Sequence, residues 1–293
     1  MSSIQPLPKY FYRIHNKIIS VDFEIPFLPK INQNIIANID IIENKDIFNA
    51  KFKDNYFLNK DNAFYSKSLL IQSKHSKKSS IEYYLNDELS DYDRAFKLLS
   101  HPIALSLFLN GSYVLHSSAI EIRKKAYIFI GPSGSGKSYA VNSLLKYGRL
   151  MTEDILNCIY RDNSFYAAPS IPVIKLNQNE LIADGKKFKI AADSRNRKGL
   201  IVKNFDYKNT PVKIEGCFIL KDNKISNISK CGEMDAYRNL LLNSFSAMPK
   251  NKCPESEKKL MANIALFIKT VPIYSYQRNK DHNLEKLLKF LQL

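Results

Sequence analysis

Short apolar runs separated by polar residues fill the N-terminal part of the chain. Phe11–Ile14, Lys17–Ile19, Ile35–Ile39, Ser68–Ile71 and Ser79–Leu85 are rich in β-branched and aromatic residues, which is typical of strands. Prolines and Asn/Asp/Lys clusters interrupt the runs and favour turns between them. The pattern therefore predicts a mainly antiparallel β lobe.

Helical spacing of apolar residues begins after Ser90, which is a suitable N-cap. A second helix is predicted to start near Pro102, because proline is favoured in a first helical turn, and to end at Asn110-Gly111. These helices join the β lobe to the rest of the chain. We therefore divide the chain into an N-terminal lobe with linking helices, residues 1–110, and a second domain, residues 111–293.

Strand and helix patterns alternate through the second domain, which predicts an α/β (α+β) fold. Asp184-Gly185 and the basic run Arg195–Gly199 mark residues 184–199 as a solvated, mobile loop that can serve as a lid or grip an acidic acceptor. Tyr113–Ile122 and Tyr127–Ile130 are predicted to form a hairpin across the basic turn Arg123–Lys125. The other predicted strands and extended segments are Arg149–Tyr160, Tyr166–Leu176, Val212–Leu220 and Val271–Tyr276. The predicted helices run from Lys137 to Gly148, Met234 to Phe245, Ser256 to Ile268 and Asn283 to Leu291.

A glycine-rich segment lies between the predicted strand at Tyr127–Ile130 and the helix that follows. Its sequence fits the phosphate-loop pattern, in which backbone N–H groups and the positive end of a helix surround a nucleotide phosphate. Lys137 would neutralise the β- and γ-phosphates, and the Ser138 hydroxyl would bind Mg²⁺. The predicted nucleotide-binding residues are Gly131, Pro132, Ser133, Gly134, Ser135, Gly136, Lys137, Ser138 and Tyr139.

Glu153 and Asp154 lie in the middle of the predicted strand Arg149–Tyr160. Phosphoryl transfer to a hydroxyl needs an acid that holds Mg²⁺ and a base, and this pair supplies both. Successive strand residues point to opposite faces, so the two can share a site only where a bulge or a strand end intervenes. Asp222, after the apolar strand Val212–Leu220, is a rival metal ligand.

His116 is placed on the predicted hairpin beside the phosphate loop. A lone histidine in a strand is more often structural than catalytic, and only geometry can license an acid–base role. The candidate catalytic residues are His116, Lys137, Glu153 and Asp154, and the candidate metal ligands are Ser138, Glu153 and Asp154.

The chain carries 44 Lys+Arg against 28 Asp+Glu, a formal charge of +16. This excess fits either a lysine-rich solvated surface or anionic partners. We expect a nucleotide and an acidic peptide rather than nucleic acid. Four scattered cysteines without metal-site spacing, and no signal-like or membrane-length apolar segment, favour a cytoplasmic protein that does not enter a membrane.

Several segments together resemble the HPr kinase/phosphorylase family, over roughly residues 10–292. The resemblance is greatest to its short relatives of lasso-peptide biosynthesis. The motifs that carry it are Leu115–Ala119, the loop Gly131–Ser138, the pair Glu153-Asp154, the segment Ala168–Leu176, Tyr12–Pro26 and Val271–Tyr274.

The resemblance implies a core similar to HPr kinase and to ATP-type phosphoenolpyruvate carboxykinases, with ATP and Mg²⁺ as cofactors and a serine hydroxyl as acceptor. It implies that Glu153 acts as base, that Asp154 binds Mg²⁺ and that His116 takes part in acid–base chemistry near the phosphates. Glu153 departs from the family, which has an aspartate there, and the downstream family signature is not found. The family's regulatory enzymes are oligomers, so a homo-oligomer is one expectation.

The sequence thus predicts an ATP-dependent kinase that phosphorylates a serine on a ribosomal precursor peptide. The alternatives are a small-molecule kinase for serine or a sugar, an HPr kinase/phosphorylase, and a nucleotide-switched binding module without catalysis. A GTPase is disfavoured, because Asn59-Lys60-Asp61-Asn62 lies upstream of the loop and lacks the required aspartate.

Overall fold

A computed structural model gives the fold of the chain. The structure describes residues 9–32, 35–43, 63–66, 69–74, 79–85, 89–177, 189–194, 197–223, 225–245, 254–278 and 284–293. Within these ranges it is a mixed α/β protein, as the alternation of patterns predicts. None of the helices in this part of the chain has the length and apolar character needed to cross a bilayer.

The strands of the described residues have the following bounds. They are β1 (Tyr10–Ile14), β2 (Lys17–Val21), β3 (Ile39–Glu43), β4 (Ala63–Ser66), β5 (Leu69–Lys74), β6 (Ser79–Tyr84), β7 (Tyr113–His116), β8 (Ser118–Ile122), β9 (Lys125–Ile130), β10 (Arg149–Thr152), β11 (Ile155–Arg161), β12 (Ser164–Ala168), β13 (Val173–Asn177), β14 (Lys189–Ser194), β15 (Arg197–Ile201), β16 (Val212–Asp222), β17 (Asn227–Lys230) and β18 (Ile273–Arg278). The helices are α1 (Asp91–Leu98), α2 (His101–Leu109), α3 (Lys137–Leu144), α4 (Glu233–Asn243), α5 (Pro254–Thr270) and α6 (Glu285–Leu291).

The N-terminal sheet has the order β1-β2-β3-β6-β5-β4. β3 pairs in parallel with both β2 and β6, while the other neighbouring pairs are antiparallel, so the lobe is a mixed sheet. The strand predicted at Ile35–Ile39 is wrong in position, because pairing with β2 begins only at Ile39. Ile36, 84% exposed, lies outside the sheet despite its apolar side chain.

A second sheet carries the glycine-rich loop. Its order is β10-β8-β9-β16-β12-β11-β7, with β18 also beside β16 and β17 beside β18. β9, β16 and β18 run in parallel, so their carboxyl ends meet at one edge. The predicted hairpin is formed by β8 and β9, whereas β7 leaves it after His116 to pair with β11.

Two apolar layers cover this sheet. Ile128 and Ile130 of β9 face the layer that includes α4 and α5, whereas Phe129 faces the layer that includes α3 and α6. The period of two along the buried strand produces this division. The layer on the α4 side continues without a break into the N-terminal lobe through residues such as Tyr12 and Ile14.

Two sequence expectations need correction. Residues 149–160 form two strands rather than one, because the chain turns at Glu153-Asp154 between β10 and β11. Part of the predicted loop at 184–199 is β14 and the start of β15, which form a three-stranded sheet in the order β13-β15-β14. The rest of that loop, including Asp184 and Gly185, lies outside the described residues.

Candidate functional site

The loop between β9 and α3 has a backbone that favours glycine. Gly134 and Gly136 have φ values of 81° and 82°, in the left-handed region that L-residues rarely adopt. The Gly131 N–H donates to Asn243 Oδ1 at 3.1 Å, which ties the start of the loop to the end of α4. α3 begins directly after Gly136, so its free N–H groups and positive dipole end face the loop.

Lys137 lies across this loop. Its ammonium group donates to the carbonyl oxygens of Gly131 at 2.8 Å and Pro132 at 3.2 Å, and its side chain is buried. A buried cation held by loop carbonyls beside a helix N-terminus concentrates positive charge where an anion would bind. This arrangement is suited to bind an anion such as a phosphate group.

The turn at Glu153-Asp154 is fixed by the neighbouring strand junction. Ser118 Oγ donates to the Glu153 carbonyl at 3.1 Å, and the Ser117 N–H donates to the Asp154 carbonyl at 3.1 Å. Thr152 Oγ1 donates to the Ile155 carbonyl at 2.7 Å and closes the turn from the other side. The strand therefore ends before the acids, and both carboxylates can line the same cleft.

Glu153 faces the loop helix. Ser138 Oγ donates to Glu153 Oε1 at 2.5 Å, so a hydroxyl and a carboxylate oxygen converge at the start of α3. Mg²⁺ prefers oxygen ligands and is commonly held by one or two protein groups together with substrate phosphates. The donor set therefore fits Mg²⁺, and Ser138 and Glu153 are the residues that would hold it.

Asp154 has different partners. His116 Nε2 lies 3.1 Å from Asp154 Oδ1, and Lys175 Nζ lies 2.7 Å from Asp154 Oδ2. Burial alone would raise the pKa of Asp154, but the hydrogen bond from His116 and the charge of Lys175 outweigh it and lower that pKa well below its usual range. Asp154 is therefore ionised at neutral pH, with its two oxygens held by separate donors.

The cleft brings together most of the residues predicted from the sequence. Its lining consists of His116, Ser133, Gly134, Gly136, Lys137, Ser138, Tyr139, Glu153, Asp154 and Lys175. Gly131, Pro132 and Ser135 belong to the loop but not to the lining. Asp222, the rival metal ligand, is exposed at the end of β16 and does not line this cleft.

Sequence reasoning gave no role to Lys175, Asn243 or His101. The sequence does show Lys175 as a single charge between two apolar residues, Ile174 and Leu176. In the structure both of these neighbours are fully buried. His101, in the first turn of α2, lies near enough to Asp154 for that charge to affect its pKa. Desolvation lowers the pKa of His101, and Asp154 acts in the opposite direction.

A second cavity lies behind Glu153 and Asp154 and shares these two residues and Lys175 with the cleft lined by the glycine-rich loop. Its other lining residues are largely apolar: Phe96, Leu99, Ser100, Thr152, Ile155, Ser170, Ile171 and Val173. The acid pair therefore stands between a cationic cleft and an apolar one. The volume of the second cavity, about 20 Å³, is room for about one water molecule.

No protein-family model matches the sequence, and no curated protein sequence matches it significantly. Among solved structures, the chain is similar to the HPr(Ser) kinase/phosphatase from Coxiella burnetii, with 12% sequence identity and a TM-score of 0.32. The match covers 61% of this chain and 93% of that chain. At this TM-score the similarity carries no weight for chemistry, so a functional proposal rests on the geometry of the site.

Proposed function

We propose that the protein is an ATP- and Mg²⁺-dependent phosphotransferase that acts on an alcohol, and specifically on a serine hydroxyl. The observation that supports it most is the joint position of Lys137, Ser138, Glu153 and Asp154 around one cleft. A cationic loop, an oxygen pair suited to Mg²⁺ and an ionised carboxylate are the parts that phosphoryl transfer requires. Bound Mg²⁺ would neutralise charge on the phosphate oxygens.

The surroundings of the two acids favour a different division of labour from the one implied by family resemblance. Glu153, paired with Ser138, is suited to hold the metal. Asp154, whose two carboxylate oxygens are held by His116 and Lys175, is suited to orient the acceptor. Because the transition state for phosphoryl transfer is loose, orienting the hydroxyl matters more than strong basicity, and a carboxylate of low pKa serves.

In this scheme the acceptor oxygen forms a bond to the γ-phosphorus of ATP. At the same time the bond between the γ-phosphorus and the oxygen that bridges the β- and γ-phosphates breaks. The hydroxyl proton passes to Asp154 Oδ, and ADP is the leaving group. Lys175 and His116 hold the carboxylate in place and stabilise its charge. Lys137 stays on the phosphates throughout.

For the acceptor we propose a serine on a ribosomal precursor peptide, as in lasso-peptide tailoring, which only the sequence resemblance supports. Free serine, a sugar and HPr are the alternative acceptors. A nucleotide-switched binding module is the non-catalytic alternative, and the complete set of acid, lysine and hydroxyl groups disfavours it.

Mass spectrometry of acceptors incubated with Mg·ATP tests the proposal. The panel contains precursor peptides encoded near the gene, free serine, simple sugars and HPr. Lys137→Ala should remove all transfer, whereas Lys146→Ala, a lysine beyond the C-terminal end of α3, should transfer as the wild type does. Transfer to HPr or a small molecule alone would move the function to those alternatives. ATP binding without transfer to any acceptor, and without hydrolysis to ADP, would leave the binding module as the better account.

A further inference from the structure

Arg278 is a buried cation without a partner for most of its hydrogen-bonding groups. It is the last residue of β18, and only 3% of its surface is exposed. Its Nε and Nη1 atoms have no hydrogen-bond partner in the structure. Guanidinium groups stay charged at any ordinary pH, so this side chain brings an unsatisfied positive charge into the protein.

The position of this charge is set by the sheet. β18 pairs in parallel with β16, and β16 pairs in parallel with β9, so Arg278 lies at the same edge as the phosphate loop. Its guanidinium occupies the space that a Cβ at Gly136 would need, and it lies 5.9 Å from the centroid of the Tyr139 ring. Gly136 is therefore required for two reasons, its left-handed φ and the close approach of Arg278.

A neighbouring carboxylate does not account for this arginine. Asp222 is its register neighbour on β16, but Asp222 is exposed and no ion pair joins the two side chains within the described part of the chain. Burying an unpaired charge destabilises a folded protein, whereas an apolar side chain of similar volume would not. An arginine in this place is explained if an anion completes its hydrogen bonds when a ligand is bound.

We propose that Arg278 is a phosphate ligand of the nucleotide site, supplied by the last strand of the sheet to the loop at Gly136. The inference rests on the proposed function, since it takes the loop to hold a nucleotide. The planar guanidinium can donate two parallel hydrogen bonds to phosphate oxygens, which a lysine cannot do. Arg278 thereby adds a second fixed cation to Lys137, from a distant part of the sequence.

Two measurements on Arg278→Met and Arg278→Lys test this assignment. Calorimetric titration with ATP, ADP and inorganic tripolyphosphate gives the affinities, and thermal unfolding without ligand gives the melting temperature. Arg278→Met should weaken ATP and tripolyphosphate alike, by about ten- to a hundredfold, because charge-assisted bonds to phosphate are lost. Its ligand-free melting temperature should stay equal or rise, since an unpaired buried charge is removed.

Arg278→Lys should bind phosphate with intermediate affinity, because it keeps the charge and loses the paired geometry. Arg238→Met, on the exposed face of α4, is the matched control and should change neither measurement. A lower melting temperature of Arg278→Met with unchanged affinities would overturn the proposal in favour of a structural role. Loss of ATP affinity with tripolyphosphate affinity unchanged would also overturn it, since Arg278 would then contact the nucleoside.

The failure of this inference differs from the failure of the proposed function. Wild-type protein that binds ATP as tightly as Arg278→Met refutes the role of Arg278 and leaves the kinase proposal standing. Wild-type protein that binds tripolyphosphate through Arg278 but transfers phosphate to no acceptor refutes the kinase proposal and leaves the phosphate ligand standing. Wild-type protein that binds none of the three probes refutes both.

Discussion

Glu153 and Asp154 are neighbours in sequence, yet they lie in two different parts of the cleft. Glu153 shares a hydrogen bond with the Ser138 hydroxyl at the start of α3. Asp154 is bound by His116 and Lys175. A hydroxyl is thus one partner of Glu153, whereas each oxygen of Asp154 is held by a basic side chain.

The difference shows how one turn can supply two chemical roles. In a continuous strand the acids would point to opposite faces, and one would leave the site. The interruption after Thr152 lets both point into the cleft, and their surroundings then distinguish them. Under the proposed function, the surroundings of the two acids separate a metal ligand from an acceptor-orienting group, as they do in enzymes with paired carboxylates.

Asp154→Asn should have the largest effect of the substitutions that distinguish the two acids. The substitution keeps the shape of the side chain but removes the charge that, under the proposed function, orients the acceptor and takes its proton, so transfer should fall by about 10²- to 10⁴-fold. The affinity for ATP and the Mg²⁺ concentration needed for half-maximal binding should change little. Single-turnover transfer and ATP titration with and without Mg²⁺ are the measurements. A normal transfer rate in Asp154→Asn would show that the orienting group lies elsewhere.

Glu153→Gln should act on the metal. Weakening one of the two oxygens suited to Mg²⁺ should raise the Mg²⁺ concentration for half-maximal activity by at least about tenfold, with metal-free ATP binding preserved. Activity measured over a Mg²⁺ series gives this number. Asp154→Asn is the internal control, because its Mg²⁺ dependence should match the wild type. If the two variants exchanged these behaviours, the division implied by family resemblance would be the right one.

Much of the loop could be predicted from the sequence, because the positions of Gly131, Gly136, Lys137 and Ser138 act locally. The condition that a strand end must intervene at Glu153-Asp154 was also available. The sequence did not show that the strand ends there, because the turn depends on a hydrogen bond that the Glu153 carbonyl accepts from Ser118, 35 residues away. Local patterns describe propensity, and such a distant partner lies outside them.

Contacts between lobes were likewise inaccessible. The turn at His15-Asn16 in the N-terminal sheet contacts the segment that follows β12, where the His15 N–H donates to the Pro169 carbonyl at 2.8 Å. Two further hydrogen bonds complete this junction: Asn157 Nδ2 donates to the His15 carbonyl, and the Asn16 N–H donates to Asn209 Oδ1. An apolar-polar pattern assigns β1 and β2 to strands, but it contains no information on what their turn contacts.

Lys175→Met examines the Asp154 side alone. Without the ammonium group, a charge that lowers the pKa of Asp154 is lost, so the carboxylate should take up a proton at a higher pH. The acidic limb of the pH–rate profile for transfer should therefore move to higher pH. Activity at pH 8 should fall less than activity at acidic pH. Lys213→Met, an exposed lysine of β16, should leave the limb in place. An unmoved limb in Lys175→Met would mean that Asp154 does not control it.

Ser118→Ala should have the smallest effect on transfer, and it should disturb the positions of both Glu153 and Asp154. The lost hydroxyl leaves the Glu153 carbonyl without this buried partner, at a cost of about 1–3 kcal/mol in stability. Because the turn positions both carboxylates, transfer and Mg²⁺ affinity should each weaken by a few-fold, and together. Ser275→Ala, which removes another buried serine hydroxyl from the same sheet, should lower neither. If only one of the two quantities changed in Ser118→Ala, the acids would be held independently, and the turn would not be their common support.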